Sequence, residues 1–261
     1  MEKLMLKIGE HFMQAICASS DAIHMLKKNF QYLDDSFECQ PDLSILLEDG
    51  YGTPFVDYEV MIIKECNRIS FQRADYSIQV DADYTQATVA VHDELALKHA
   101  LMNLYSSFIV HRNWGLLIHS SCVIEEGRAH VFMGHSGAGK STAAKLSYPR
   151  KLLSDEATIL KISEESITVF NSPFRSELQS TDHQENCPLA SMQLLEQSRS
   201  NKRLMLKKSE ALLQITDKVF FWSYRAEEPA KIFRLLKLVV NEIPVYELHF
   251  QKNNIFWELI S

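Results

Sequence analysis

The chain is 261 residues long, 46% hydrophobic and 23% charged, with a formal net charge of −7. That length can bury a real core in one large domain or two small ones, and the acidic balance without a dense basic block argues against a nucleic-acid surface. No apolar run approaches a membrane span and no signal-peptide pattern opens the chain. The five scattered cysteines, with no Cys-x-x-Cys pair, read as reduced core thiols of a cytoplasmic protein.

Residues 3 to 17 mix polar with apolar, β-branched and aromatic side chains and read as a strand. Ser20 is placed to cap a helix over 21–30, where Ile23, Leu26 and Phe30 fall at helical spacing. Strand patterns follow at 56–63, 68–72, 76–80 and 87–91, and polar breaks between the later ones suit tight turns, so an antiparallel meander is expected. From Glu94 to Val110 the period turns helical, with Leu97, Ala100, Leu101, Leu104, Tyr105 and Phe108 in one stripe. No linker interrupts this region. A strand-rich part over 1–95 is therefore expected to be packed on a core over 96–261.

The second half opens with a long apolar strand from Gly115 to Ile124, a turn at 125–128, and a short apolar run, Ala129 to Met133. Gly134 to Thr142 then reads Gly-His-Ser-Gly-Ala-Gly-Lys-Ser-Thr, which fits G-x-x-x-x-G-K-[ST] without mismatch. Three of the chain's eight glycines fall in this stretch. Glycine lets the main chain approach a ligand closely, so that loop amides can converge on an anion at a helix start. The expected nucleotide-binding residues are Gly134, Ser136, Gly137, Ala138, Gly139, Lys140, Ser141 and Thr142. Lys140 would reach the β- and γ-phosphates, and the Ser141 hydroxyl would meet Mg²⁺. The competing reading, a glycine turn before an ordinary helix, is weakened by the strand expected before the motif and the helix over 141–147 expected after it.

A phosphate loop alone does not separate a kinase from a nucleotide switch. Asp155 and Glu156 follow Lys140 by fifteen and sixteen residues. A helix of about ten residues carries the chain back about 15 Å, enough to begin a parallel neighbouring strand whose carboxyl end would hold Asp155 beside the metal and γ-phosphate. Such a carboxylate can bind Mg²⁺ or accept a hydroxyl proton. A surface Asp-Glu turn is the alternative. His119, inside the apolar strand 115–124 that precedes the hairpin into the motif, is either a satisfied core histidine or a neighbour of Asp155 and the acceptor. Beyond it, a hairpin is expected over 158–170, a mobile loop over 180–203, a helix opening at 209–213 and a buried strand at 219–222. A helix at 229–241, a strand at 244–250 and a short closing helix at 254–260 complete the expected elements.

Together these residues resemble the HPr kinase/phosphorylase-like P-loop kinases, which share their nucleotide core with phosphoenolpyruvate carboxykinases. The anchors are Ile118-His119-Ser120-Ser121, the glycine motif, Leu153-Ser154-Asp155-Glu156, Ser172-Pro173-Phe174 with Glu177, Pro244-Val245-Tyr246-Glu247-Leu248, and Phe256-Trp257-Glu258-Leu259-Ile260. The resemblance implies an α/β (α+β) fold with a P-loop-containing mixed sheet. It also implies ATP or GTP with Mg²⁺, a metal set of Ser141, Asp155 and Glu156, and catalysis by Asp155, His119 and Lys140. Where the family commonly has Asp-Asp, this chain has Asp155-Glu156, and a counterpart of the phosphorylase motif is missing. The resemblance further implies a peptide or protein serine acceptor, as in the kinases that phosphorylate lasso-peptide precursors. Two rivals stand beside this: a small-molecule kinase, and a nucleotide-gated binding protein. No arginine is marked as a charge-stabilising finger, though Arg175 and Arg203 qualify on position, and self-association into a homo-oligomer stays open.

Overall fold

The computed structural model describes residues 2–33, 39–176, 178, 186–223 and 227–260. The chain is a mixed α/β protein with two large sheets and a strand-rich amino-terminal part. It divides into two compact units, Met1–His111 with Phe221–Ala226, and Arg112–Phe220 with Glu227–Ser261.

In the first unit, β1 (Glu2–Ile8) and β2 (His11–Cys17) form a hairpin in place of the one strand expected over 3–17. Gly9 turns the chain there at φ +62°. Helix α1 (Ser20–Asn29) starts one residue early, with Ser19 as its cap accepting from the Ala22 N–H. There follow β3 (Tyr32–Leu33), β4 (Leu43–Asp49), β5 (Met61–Lys64), β6 (Arg68–Gln72), β7 (Tyr76–Asp81), β8 (Gln86–Val91) and α2 (Glu94–His111). The sheet order is β3-β1-β2-β4-β8-β7-β6-β5. Strands β5 to β8 form the antiparallel meander, whereas β4 joins β2 and β8 through parallel pairings. The strand expected from 56 is regular only from Met61. Val56 is 67% exposed, so no core draws that stretch into the sheet. Helix α2 lies on β7 and β8 and is buried along most of its length.

The second unit contains β9 (Gly115–Glu125), β10 (Arg128–Met133), α3 (Lys140–Leu146), β11 (Lys151–Ser154), β12 (Ala157–Ile162) and β13 (Ile167–Phe170). After these come β14 (Asn186–Gln197), β15 (Lys202–Met205), α4 (Lys208–Thr216), α5 (Glu227–Glu242), β16 (Val245–Phe250) and a 3-10 turn at Ile255–Leu259. Two long strands change partners along their length. The first part of β9 pairs with β12 and the rest with β10 and β11; the start of β14 pairs with β13 and the rest with β10 and β16. Strands β9, β10, β14, β13 and β12 thereby close a hydrogen-bonded circuit.

Three expectations change here. The mobile loop over 180–203 is, from Asn186, mostly strand; its portion 180–185 lies outside the described residues. Leu189, Met192, Leu194 and Leu195 are buried, which fixes β14 between β10 and β16. Residues 219–222 are half-buried and give only an isolated bridge, Val219 to Ile118. Strand β11 is not β10's neighbour. The tight turn at Glu126-Gly127, both at positive φ, folds β9 back against β10 first, so β11 pairs with β9 one strand further out.

Beneath α3 and the 3-10 turn, Phe132, Leu195, Leu248, Phe250, Phe256 and Trp257 form a buried cluster. Full burial of each such side chain is worth about 1.5–3 kcal/mol. The Trp257 Nε1–H donates to Ser147 Oγ at 2.9 Å, joining the turn to the end of α3. Among the described residues no helix is long and apolar enough to cross a membrane.

Candidate functional site

The glycine motif lies between β10 and α3, with the strand before it and the helix after it that the motif requires. Its glycines answer to local geometry. Gly137 and Gly139 hold φ of +81° and +108°, a region that costs other residues about 1–2 kcal/mol. A Cβ on Gly139 would lie 2.7 Å from Phe250 Cζ, and one on Gly134 would lie 2.6 Å from Ala138 Cβ. Two side chains steady the loop: Gln197 Nε2 donates to Gly137 O at 2.8 Å, and the buried Ser121 Oγ donates to Lys140 O at 2.9 Å.

Lys140 is 8% exposed, and its Nζ donates to the carbonyls of Gly134 and His135 at 3.1 and 3.2 Å. Burial, and then the charge of Lys218, lower its pKa.

Strands β11 and β12 run in succession along one flank of β9, and the pairing breaks between them at Asp155-Glu156. The Ser120 N–H holds that break by donating to Glu156 O at 3.1 Å. Asp155 is 2% exposed, and its Oδ1 and Oδ2 accept the N–H groups of Ser176 and Leu178 at 3.0 and 2.8 Å. Arg175 donates to Leu153 O at 3.0 Å and to Asn171 Oδ1 at 2.6 Å; burial lowers its pKa, and the charge of Asp155 works against that.

His119 is held from behind. Its N–H donates to Lys218 O at 2.7 Å, and its ring lies against Phe220 at a centroid distance of 5.1 Å. Burial first, then the charges of Lys140 and Lys218, hold its pKa down at about 4, so the ring is neutral at neutral pH. Among the described residues the ring makes no hydrogen bond to Asp155 and packs against Phe220 instead.

These residues meet in one cavity of about 330 Å³. His119, Ser136, Gly137, Gly139, Lys140, Ser141, Thr142, Asp155 and Glu156 line it, together with Ser176. Gly134 and Ala138 stay off the wall; both are buried, and Ala138 belongs to the core under α3. Arg175 and Arg203 do not line the cavity, and Glu177 lies outside the described residues. Lys218, Phe220 and Gln197 were not expected here. Their places depend on long-range pairing, which local pattern does not carry. The Ser141 hydroxyl and the carboxylates of Asp155 and Glu156 are oxygen donors, the type Mg²⁺ takes. Among the described residues no group of three or more His, Cys, Asp or Glu could hold a metal ion, so Mg²⁺ here would rely on phosphate oxygens as well.

Among curated proteins no sequence match is found. Among solved structures, the chain is similar to the Hpr(Ser) kinase/phosphatase from Coxiella burnetii, over 55% of this chain and 90% of that one. At 9% identity and a TM-score of 0.31, that likeness is too distant to argue from. The profile of a protein family described as SynChlorMet cassette protein ScmC matches residues 83–261. The chain belongs to the ScmC family of SynChlorMet cassette proteins.

Proposed function

We propose that this protein is a kinase that transfers the γ-phosphoryl group of ATP or GTP to a serine hydroxyl of a peptide or protein. One observation carries the reading. The glycine motif, a buried Asp155 and a neutral His119 share the wall of a single cavity. A site for binding alone would need the loop but not the carboxylate.

In this reading the amides of the loop and Lys140 cradle the phosphates, with Lys140 exchanging the carbonyls of Gly134 and His135 for phosphate oxygens. Mg²⁺, held by Ser141 and Asp155 with Glu156 in reach, would supply charge neutralisation at the phosphates. The serine oxygen bonds to the γ-phosphorus as the bond from that phosphorus to the β-bridging oxygen breaks. Asp155 accepts the proton that the serine hydroxyl releases. The Ser176 and Leu178 N–H groups hold the carboxylate in place for that transfer. His119, uncharged, stands on the same wall to hydrogen-bond the acceptor. On this reading the second unit is a nucleotide core of the kind shared by HPr kinases and phosphoenolpyruvate carboxykinases, working in the cytoplasm. The acceptor implied by the resemblance is a lasso-peptide precursor. The family's description as a cassette protein directs the search to peptides encoded alongside.

The test separates binding from chemistry. Lys140→Ala should lose nucleotide affinity, whereas Asp155→Asn should keep nucleotide affinity and lose phosphotransfer. Full transfer by Asp155→Asn would refute its role as base. Transfer to small alcohols but not to peptides would favour a metabolite kinase, and nucleotide-dependent partner capture without any phosphoproduct would favour a binding switch.

A further inference from the structure

We propose that a second cavity in the same unit, at the end of β10 away from the glycine loop, binds an oxyanion, a carboxylate or phosphate group carried by a small molecule. The cavity measures about 280 Å³; Arg128, His130, Ser191, Arg203 and Tyr246 stand on its wall, and so do the carboxylates Glu125 and Glu126. None of these residues lines the glycine-loop cavity.

Arg203 supplies the charge. Its guanidinium lies 3.5 Å from the centroid of the Tyr246 ring. It donates from Nε to Gln193 Oε1 at 3.1 Å, from Nη1 to Leu259 O at 2.8 Å, and from Nη2 to Ser191 Oγ at 3.3 Å. Every one of these acceptors is neutral, and among the described residues no carboxylate pairs with it. A half-buried cation with only neutral partners keeps its charge available to an incoming anion. A guanidinium has five N–H donors, so two remain beyond the three used.

His130 supplies a second donor, and the network fixes which nitrogen carries the proton. Ser191 Oγ accepts from Gln193 Nε2 at 2.7 Å and from Arg203 Nη2, which occupies both lone pairs. The hydroxyl hydrogen is then left for His130 Nδ1, 2.9 Å away. The ring proton sits on Nε2. Among the described residues no oxygen or nitrogen accepts from Nε2; the ring stands edge-to-face with Trp257 at a centroid distance of 5.6 Å. Burial, then the charge of Arg203, keeps the ring neutral by holding its pKa at about 4.

The acids nearby do not meet this demand. Glu125 is taken by Arg150, at 2.8 Å, and Glu126 sits in the exposed turn. Arg128 adds a second cation on the rim. A structural network tying β14 and β15 to the 3-10 turn would need donors and acceptors but no charge. The charge and the N–H groups not used within the network together suit an oxyanion, which accepts from both.

The test titrates the whole protein with sodium malonate and, separately, with inorganic phosphate, at ionic strength held constant with chloride. Histidine ring nitrogen–proton correlations are followed by NMR, with His130 assigned through His130→Asn. Phosphate runs use Lys140→Ala, so that occupancy of the glycine loop does not contribute. A saturable shift at His130, with its pKa rising from about 4 because a nearby anion favours the imidazolium, supports the site. Malonate alone acting identifies a carboxylate ligand, and phosphate alone a phosphate ligand. Arg203→Gln should weaken the response by roughly tenfold or more, and Arg203→Lys should retain part of it. A His130 signal unmoved by both anions, or moved equally in Arg203→Gln, would overturn the proposal. The wild-type titration decides alone if the Arg203 variants do not fold.

Discussion

Replacing Gly139 with alanine tests the glycine loop most sharply. The backbone there has φ +108°, and a Cβ would sit 2.7 Å from Phe250 Cζ. The left-handed conformation costs a non-glycine residue about 1–2 kcal/mol. The ring of Phe250 cannot simply move aside, because it is buried against Phe256 at a centroid distance of 5.8 Å. Forcing an extra methyl into such a core costs about 1–3 kcal/mol more. The sum, about 2–5 kcal/mol, corresponds to a fall in unfolding temperature of about 5–15 °C for a unit of this size. Gly137→Ala is the internal control. Its φ is +81° but nothing lies within 4 Å of a Cβ, so only the backbone part applies. Calorimetry of both variants, of Phe250→Leu alone, and of Gly139→Ala combined with Phe250→Leu completes a double-mutant cycle. The double variant should be more stable than the two single losses predict, by at least about 0.5 kcal/mol. Equal losses for Gly137→Ala and Gly139→Ala with no coupling to Phe250 would refute the packing argument.

The pH dependence of stability should show the buried histidines. His99, His119 and His130 each have a pKa lowered from 6.5 to about 4, in every case chiefly by burial. The unfolded chain therefore binds more protons between those values, so stability is full above about pH 7 and falls as pH drops through 6.5 towards 4. Urea unfolding at pH 7.5, 6 and 5 checks this, and a midpoint constant across that range would contradict it. In the first unit, Arg73→Met should cost about 3–5 kcal/mol, because it strands a buried carboxylate. Arg73 donates Nε and Nη2 to the two oxygens of fully buried Asp75 at 2.6 and 2.8 Å, between the rings of Phe55 and Tyr76. Denaturant unfolding that shows less than about 1 kcal/mol of loss would remove that pair from the account.

What could be read from sequence was local. The glycine motif, the hairpin of β9 and β10, and helices α2 and α5 each declare themselves within one turn or one period of the chain. Strand β14 did not, and the reason is physical. Its inward row includes Ser191 and Gln193, buried polar groups answered by Arg203 and His130, so the alternation of apolar and polar residues is lost. Strand β4 hides differently, since Leu46 on the far side of Leu43, Ile45 and Leu47 blurs its period. Asp155, fifteen residues after Lys140, lines the loop's cavity, but not from a strand next to β10. A one-strand shift, with β9 between β10 and β11, and the break between β11 and β12 place it there. Which strand pairs with which is decided by long-range packing, and Lys218 and Phe220 reach the site only through it.

The most direct test of the phosphotransfer reading is mass spectrometry of peptides encoded beside this gene, after incubation with the protein, Mg²⁺ and ATP or GTP. The account predicts one phosphorylated serine, formed by the wild-type protein and absent with Lys140→Ala and with Asp155→Asn. Phosphopeptide formed as fast by those variants, or no phosphorylated hydroxyl on any peptide or small alcohol despite bound nucleotide, would contradict it.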